Sequence, residues 1–372
     1  MTQANLYEVA LTFLSGVGNQ VTRLLVSYCG SAQAVFTTPA GKLLKIPGIG
    51  PKLVSQISDN SKQALYQAEL VLRKAEQQQV QLLFYTAAAY PDRLKQIADA
   101  PVLLYYRGNA DLNQQHIVSI VGTRKPTTYG QAVTERIVEE LKQHQVMVVS
   151  GLAYGIDIIS HRAALQHSLD TVGVMASGQD IIYPSVHSKY AERMVEHGGI
   201  LTEGTFGTKP DAHRFPARNR IIAGMSDCTI VVEAAMKSGT LITADIAHSY
   251  DREVMAVPGN INSSVSEGTN FLIKSNKAAV YTSVQDLVEL LNWDLEQKRK
   301  EKQAAALIYS ADDFTTAELQ VLQVLQKTQE EQMDNLSWKA QVPVSQLASL
   351  LLGLEFKGVI KALPGKRFAL IK

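Results

Sequence analysis

Short apolar segments alternate with amphipathic segments through residues 117–291, and this alternation constrains the fold more than any other feature of the chain. The apolar segments lack a polar face, which is typical of strands buried on both sides in a parallel sheet. The amphipathic segments carry apolar residues at helical spacing. Strands are predicted at 117–122, 146–151, 171–176, 200–204, 229–233, 254–259 and 279–281. Helices are predicted near 133–141, 156–165, 189–196, 218–225, 241–249, 271–273 and 287–291.

Repeated strand–helix units connect with one hand, so residues 86–292 are predicted to form a Rossmann-like α/β domain with a doubly wound parallel sheet. In such sheets, ligands bind beyond the carboxyl ends of the strands. Glycines close or follow most of the predicted strands, among them Gly122, Gly151 and Gly259. Because glycine lets a ligand approach the backbone closely, we expect Gly151 to border a binding site.

The residues after the first predicted strand argue against two common classes of nucleotide-binding enzyme. They read Gly122-Thr123-Arg124-Lys125 and lack the G-x-G-x-x-G fingerprint, and Ser150-Gly151 stands where a dehydrogenase keeps an acidic residue. The sequence has no G-x-x-x-x-G-K-[ST] phosphate loop of an ATPase. Arg124 is therefore a candidate anion-binding residue where the sheet opens, or else an ordinary surface arginine.

The segment His213-Arg214-Phe215-Pro216-Ala217-Arg218-Asn219-Arg220 gives the strongest indication of function. It places three arginines and an aromatic ring ahead of the apolar helical pattern at 221–225. A helix N-terminus favours anions, and arginine matches phosphate oxygens. Phe215 could stack on a nucleobase of any sequence. The segment predicts a site that holds a nucleotide strand without cutting it; the alternative is an arginine-capped helix paired with nearby carboxylates.

Small and hydroxyl-bearing residues open two further predicted helices. Ser238, Gly239 and Thr240 follow the strand that ends at Glu233, and the segment Gly268-Thr269-Asn270 repeats the pattern in the next unit. Such residues at a helix start form an anion cradle, or simply cap the helix. Their position on the same sheet edge as Arg124 and Arg218 favours phosphate.

Acidic residues near this edge allow two interpretations. Asp157 and His161 are four residues apart on one helix, but no third metal ligand is evident, so no metal site is predicted. Glu203 and Glu233 at strand ends would suit a hydrolase that cleaves the glycosidic bond of nucleoside monophosphates. They would equally suit the orientation of Arg218 and Arg220, which we favour.

Residues 1–85 differ from the central region and are predicted to form a small helical domain. Two similar glycine signals occur there, Leu14-Ser15-Gly16-Val17-Gly18 and Ile46-Pro47-Gly48-Ile49-Gly50, each followed by helical spacing. They resemble a helix–hairpin–helix pair, as in SAM-like domains, in which backbone N–H groups of the turn meet a phosphate. The alternative is a helical domain whose glycines only make tight corners.

Residues 293–306 are charged and polar and are predicted to be a linker. Residues 307–372 contain two helical patterns and a turn-linked pair of short strands, which predicts a winged helix. Its second long helix includes 345–352 and carries no lysine or arginine, so contact with protein is as well supported as contact with duplex DNA.

The bulk composition limits the possible environment. Net charge is +1, so a nucleic-acid site must be a local patch. The two cysteines are far apart, which argues against a disulfide scaffold or zinc site and suits a reducing cytoplasm. No apolar run approaches the ~18 residues of a membrane span. A cytoplasmic protein without a membrane association is therefore expected.

Taken together, the motifs resemble the DNA-processing protein A family, also called DprA or Smf. The similarity runs from about 90 to 281. It is carried by Tyr90-Pro91-Asp92-Arg93-Leu94, Val121-Gly122-Thr123-Arg124, 150–157, Gly178-Gln179-Asp180, 215–224, 238–244, Val257-Pro258-Gly259 and Gly268-Thr269-Asn270. The resemblance implies a non-enzymatic protein that binds single-stranded DNA, protects incoming DNA in natural transformation and loads the RecA recombinase onto it. It also implies a homodimer.

The resemblance assigns roles to individual residues. It maps the family's basic and aromatic residues onto Arg124, Phe215, Arg218, Asn219 and Arg220. We predict that Arg124 and Arg218 hold phosphates, that Phe215 stacks on a base, and that Arg220 mainly supports the loop. A family lysine corresponds loosely to Lys189, and Tyr154 stands where the family often has arginine. The expected DNA-binding residues are Arg124, Gly151, Lys189, Phe215, Arg218, Asn219, Arg220, Ser238, Gly239, Thr240, Thr269 and Asn270. No catalytic residue, metal or cofactor is expected.

Overall fold

A computed structural model describes residues 3–294, 314–328 and 330–371 of the 372-residue chain. The chain divides into two compact units, Met1–Leu291 and Asn292–Lys372. Most of the linker expected at 293–306 lies outside the described residues.

A nine-stranded sheet forms the centre of the first unit, and its order is β1-β2-β6-β5-β4-β3-β7-β8-β9. Strands β3 to β9 run parallel to one another, whereas β2 pairs antiparallel with both β6 and β1 at one edge. The predicted Rossmann-like parallel sheet is confirmed, and the antiparallel edge is an addition that the apolar pattern did not predict. The strands are β1 (Gln81–Phe84), β2 (Leu103–Gly108), β3 (Ile117–Val121), β4 (Met147–Gly151), β5 (Thr171–Met175), β6 (Gly198–Thr202), β7 (Cys228–Val231), β8 (Glu253–Ala256) and β9 (Ala279–Val280).

Helices cover both faces of this sheet, as the two-sided burial of its strands requires. They are α6 (Asp92–Lys95), α7 (Thr128–Leu141), α8 (Ile156–Gln166), α9 (Ser188–Glu196), α10 (Arg214–Met225), α11 (Gly239–Ser249), α12 (Glu267–Lys274) and α13 (Val284–Leu290). The helix predicted near 218–225 begins earlier, at Arg214, so most of the basic segment lies within α10. Pro216 falls in the first turn, where a missing N–H costs no helical hydrogen bond.

Five helices precede the sheet: α1 (Gln3–Leu11), α2 (Asn19–Cys29), α3 (Ala32–Thr37), α4 (Ala40–Leu43) and α5 (Pro51–Gln77). The two glycine signals are turns between helices, and Gly16 and Gly48 have φ values of 79° and 81° that favour glycine. The core of these helices includes Phe84 and Tyr105 from the sheet edge. The boundary proposed near residue 85 thus follows a strand of the central sheet. No helix in the described residues is both long and apolar enough to span a bilayer.

The second unit contains the predicted winged helix. Its described elements are α14 (Thr316–Thr328), β10 (Glu330–Gln332), α15 (Met333–Ala340), α16 (Val344–Phe356), β11 (Ile360–Leu363) and β12 (Arg367–Leu370). The strands form a sheet in the order β10-β12-β11. Leu325, Leu336 and Leu351 pack in its core. The sequence pattern missed β10 and α15, which are short and mostly polar.

Candidate nucleic-acid interface

A cleft opens beyond the carboxyl ends of the central strands, between the N-terminal ends of α10 and α11. We call it the strand-end cleft, and it has two lobes that share Arg124, Ala153, Phe215 and Arg218. The hydroxyl lobe is further lined by Val121, Gly122, Thr123, Asp157, Pro216, Asn219, Ile222, Ser238, Gly239, Thr240, Ile242 and Thr243. The aromatic lobe is further lined by Leu152, Tyr154, Met175, Ala176, Ser177, Tyr183, Pro184 and Pro210.

Arg124 and Phe215 face each other where the two lobes meet. Arg124 is exposed on the loop after β3, and its Cζ atom lies 5.4 Å from the centroid of the Phe215 ring. Tyr183 is also near that ring, at 6.3 Å between centroids. None of the ion pairs found among the described residues involves Arg124. The cleft therefore offers an unpaired guanidinium and a half-buried ring side by side.

Arg218 is buried at the floor of the cleft, with only 7% of its surface exposed. Its Nη1 donates a hydrogen bond to the Val174 carbonyl at 2.6 Å, while its Nε has no hydrogen-bond partner among the described residues. Burial lowers the pKa of Arg218, and the neighbouring Asp157 carboxylate opposes that shift. Burial likewise raises the pKa of Asp157, against the influence of Arg218. The floor is thus a desolvated charge pair.

Gly151 makes room for this pair. A Cβ atom at position 151 would lie 2.0 Å from Arg218 Nη1 and 2.4 Å from Asp157 Oδ2. Beneath it, the His161 Nε2 donates to the Gly151 carbonyl at 2.7 Å. Gly151 therefore lies beneath the floor and lines neither lobe, and its missing side chain leaves room for Arg218 and Asp157.

The hydroxyl lobe is formed by the start of α11 and by Asn219 on α10. Ser238 is the N-cap residue of α11, yet its side chain makes no capping hydrogen bond. Its Oγ is buried without a partner among the described residues. A Cβ at Gly239 would meet no atom within 4 Å, so the backbone there is open to a ligand. This lobe combines a buried hydroxyl without a partner among the described residues with open backbone at the N-terminus of a helix.

Several of the expected site residues lie elsewhere. Thr269 is fully buried and its hydroxyl donates to the Ser266 carbonyl, while Asn270 hydrogen-bonds both backbone groups of Gly259. Lys189 is exposed on α9 and does not line either lobe. The structure brings together Arg124, Phe215, Arg218, Asn219, Ser238, Gly239 and Thr240, with Gly151 beneath them.

Arg220 is turned away from the cleft. Its Nη2 pairs with Glu203 Oε2 at 2.5 Å, and its Nη1 donates to the Asp99 carbonyl. The other Glu203 oxygen accepts from the Asn19 amide at 3.0 Å. Glu203 therefore orients Arg220, and the pair ties α10 to the start of α2.

Glu233 does not orient either arginine. Its carboxylate accepts hydrogen bonds from the Thr127 backbone N–H at 2.9 Å and from the Thr127 hydroxyl at 2.5 Å, at the start of α7. The carboxylate beside Arg218 is Asp157, for which the sequence had predicted no role with either arginine. The available signal was an acidic residue in the first turn of the helix after Ser150-Gly151. No cluster of His, Cys, Asp or Glu among the described residues could hold a metal ion.

The chain is similar to known families in both of its units. Residues 81–292 match the family described as DNA recombination-mediator protein A, and residues 303–366 match the DprA winged helix domain. DNA processing protein DprA of Streptococcus pneumoniae is 41% identical over 199 residues, which is 54% of this chain and 70% of that protein. Protein Smf of Escherichia coli is 35% identical over 279 residues, which is 74% of each chain.

Two solved structures extend the comparison. DNA processing protein A from Streptococcus pneumoniae superposes with a TM-score of 0.66 at 33% identity, over 77% of this chain and 98% of that one. DNA processing protein A from Helicobacter pylori, described for its unique single-stranded DNA binding mode, gives a TM-score of 0.53 at 31% identity. That match covers 58% of this chain and 97% of the other.

Proposed function

The chain belongs to the DNA recombination-mediator protein A family, which includes the proteins called DprA and Smf, and on this premise we propose that its strand-end cleft binds single-stranded DNA. The observation that carries the proposal is the unpaired Arg124 guanidinium beside the Phe215 ring. The first group suits a phosphate and the second suits the face of a base. The similar protein from Helicobacter pylori, described for single-stranded DNA binding, supports the same assignment.

The strand would lie across both lobes. Arg124 contacts a phosphate at the surface, and the buried Arg218 attracts the strand from below. Ser238 and the open backbone at Gly239 donate hydrogen bonds, since N–H groups at a helix start have no partner within the helix. Because these contacts address the backbone, binding is independent of sequence.

A single strand fits this cleft better than a duplex does. Phe215 and Tyr183 can stack only on a base whose face is uncovered, and bases in a duplex are covered by their neighbours. The half-exposed Tyr154 adds a further ring to the aromatic lobe. The rings therefore supply selectivity for single strands.

The function needs no catalytic group, and we propose that the cleft catalyses no reaction. Both oxygens of Glu203 are engaged by Asn19 and Arg220, and both oxygens of Glu233 are engaged by Thr127. Carboxylates held in this way are poor candidates for a general base in nucleotide hydrolysis. Incubation with nucleoside monophosphates tests this point: release of free base that is lost in a Glu203→Gln or Glu233→Gln variant would establish the hydrolase instead.

Family membership also supports two partners, RecA and a second copy of the chain, about which the residues of the cleft give no information. We propose that the protein protects DNA in natural transformation, forms a homodimer and loads RecA onto the bound strand. The winged helix is proposed to contact protein or duplex DNA. The test is a strand-exchange assay with RecA on DNA that is coated with single-strand-binding protein, in which addition of this protein should shorten the lag.

Fluorescence anisotropy with labelled oligonucleotides tests the central proposal. Single-stranded, duplex and RNA ligands of equal length are titrated at several salt concentrations. We expect the single strand to bind most tightly, with log K falling by roughly 0.7 per log unit of salt for each phosphate contacted. Equal affinity for duplex and single strand would contradict the proposal.

A further inference from the structure

A second groove borders α10 on the side of the N-terminal helices. We call it the N-terminal groove, and it lies between the α1–α2 turn, strand β2 and the segment after β6. Its lining residues are Thr12, Phe13, Val17, Asn19, Val102, Leu103, Tyr105, Glu203, Gly204, Thr205, Thr208 and Arg214.

We propose that the N-terminal groove binds a further nucleotide of the strand held in the strand-end cleft, with the phosphate on Arg214 and the base within the groove. This inference rests on the proposed single-strand binding. It assigns the N-terminal helices a direct part in the DNA interface, and it lengthens the site beyond the Rossmann-like sheet.

The two binding surfaces meet at the first turn of α10. Arg214 lines the N-terminal groove, and the next residue, Phe215, lines the strand-end cleft. Consecutive Cα atoms are about 3.8 Å apart. A strand that leaves Phe215 therefore reaches the groove over the same helical turn. Thr208 lines the groove and Pro210 lines the aromatic lobe, so one loop also borders both surfaces.

The lining of the groove suits a nucleotide. Phe13, Val17, Val102 and Leu103 supply apolar surface, and Thr208 and Asn19 supply polar groups at its margin. A nucleobase likewise has apolar faces and polar edges, which match the apolar and polar residues of the groove. Ligand sites commonly combine an apolar wall with a few placed polar groups. Arg214 is exposed, and no ion pair found among the described residues involves it.

The acidic residue of the groove does not oppose this use. Glu203 is paired with Arg220 and accepts a hydrogen bond from Asn19, so its charge is compensated. Asn19 in turn accepts from the Val102 backbone N–H at 3.2 Å. These contacts join α2, β2 and α10, which hold the walls of the groove in a fixed arrangement. A preformed site binds without the cost of ordering its walls.

Oligothymidylates of increasing length provide the test, with anisotropy measured for the full-length protein, Arg214→Ala and Lys209→Ala. Lys209 is the matched control, because it is exposed on the loop that precedes α10 and lines neither surface. We expect Arg214→Ala to leave the shortest binding oligonucleotide unaffected and to weaken longer ones by roughly three- to tenfold. Its salt dependence for long ligands should fall by about one phosphate contact. Lys209→Ala should resemble wild type at every length.

Equal affinities of wild type and Arg214→Ala at all lengths would overturn the inference, and so would an equal loss at all lengths. In both cases binding of the shortest ligand by the wild type still supports the proposed function. No binding at any length would reject the proposed function itself. A second measurement uses 4-thiothymidine placed at single positions. Crosslinks from a terminal position to residues 12–19 are expected, and crosslinks confined to the strand-end cleft would reject the groove.

Discussion

Arg218 and Asp157 lie side by side against Gly151, in the space that any larger residue at position 151 would occupy. The pair is almost fully removed from solvent, with exposures of 7% for each residue. Two buried charges of opposite sign compensate each other, and removal of either leaves a desolvated charge. The charge pair therefore requires glycine at the end of β4, because any larger residue there would overlap with Arg218 and Asp157.

Gly151→Ala should destabilise the protein and weaken single-strand binding together. The added Cβ at 2.0 Å from Arg218 Nη1 must displace the guanidinium or the strand. Overpacking of this kind costs roughly 1–3 kcal/mol. Denaturant unfolding and anisotropy measure the two effects. Gly41→Ala is the control, because its Cβ would meet nothing within 4 Å on helix α4, and it should not lower the free energy of unfolding.

Arg124→Ala should lower the affinity for single-stranded DNA by roughly 1–3 kcal/mol, if the guanidinium makes a charge-assisted bond to phosphate. Anisotropy at moderate salt is the measurement. Arg162→Ala is a close control, since Arg162 is also exposed and its Cζ lies 5.7 Å from the Tyr190 ring, outside the cleft. Unchanged affinity in Arg124→Ala would remove this residue from the interface.

Arg220→Met should act on stability and not on the strand-end cleft. The substitution leaves the partly buried Glu203 with only its Asn19 hydrogen bond, and loss of one member of such a pair costs about 1–3 kcal/mol. Lys277→Met provides the comparison, because its exposed pair with Asp245 should contribute at most about 1 kcal/mol. Affinity of the folded Arg220→Met protein for a short oligonucleotide should match wild type. A large loss there would make Arg220 a direct DNA contact.

The sequence pattern predicted strands β3 to β8 because nearly all of their residues are buried and most are apolar. It predicted β9 from its apolar residues, although both residues of that strand are exposed. It missed β1 and β2 as strands of this sheet. Gln81–Phe84 is short and follows directly after a long helix, and its antiparallel pairing with β2 joins distant segments. Long-range pairing leaves no local periodicity to detect.

The sequence could identify most residues of the candidate site, but it could not show in which direction their side chains point. Residues two apart on an α-helix point in different directions, so Arg218 and Arg220 diverge once both lie on α10. The sequence predicts both residues in a helix near 218–225, but its pattern does not show which of the two side chains faces the cleft. Thr269 and Asn270 show a second difficulty. Hydroxyl and amide residues at a helix start have the same pattern whether they hold a ligand or a neighbouring loop, as Asn270 holds Gly259.

Lowering the pH should destabilise the protein through His161. Burial lowers the pKa of His161 to about 4 from its ordinary value of 6.5. The folded state therefore favours the neutral ring, and the stability that this provides is present above pH 6.5 and lost as the pH falls towards 4. The total is about 3 kcal/mol. Burial raises the pKa of Asp157. Protonation of this carboxyl therefore stabilises the folded state as the pH falls, which is opposite to the effect of His161.

His161→Gln isolates the histidine contribution, because an amide N–H can still donate to the Gly151 carbonyl but does not titrate. The free energy of unfolding is measured between pH 4 and 8 for both proteins. The wild type should lose more stability on acidification than the variant does. If the free energy of unfolding changed equally with pH in both proteins, His161 would have its ordinary pKa in the folded state and the prediction would be wrong.

Removal of residues 292–372 should leave single-strand binding intact. The residues that line the strand-end cleft and the N-terminal groove all belong to the unit Met1–Leu291, which has its own cores. A domain with its own core is expected to fold alone. The truncated protein should unfold cooperatively and bind a short oligothymidylate with the affinity of the full chain. If the affinity for that ligand falls while folding is retained, the winged-helix unit takes part in strand binding, and the interface proposed for the first unit is incomplete.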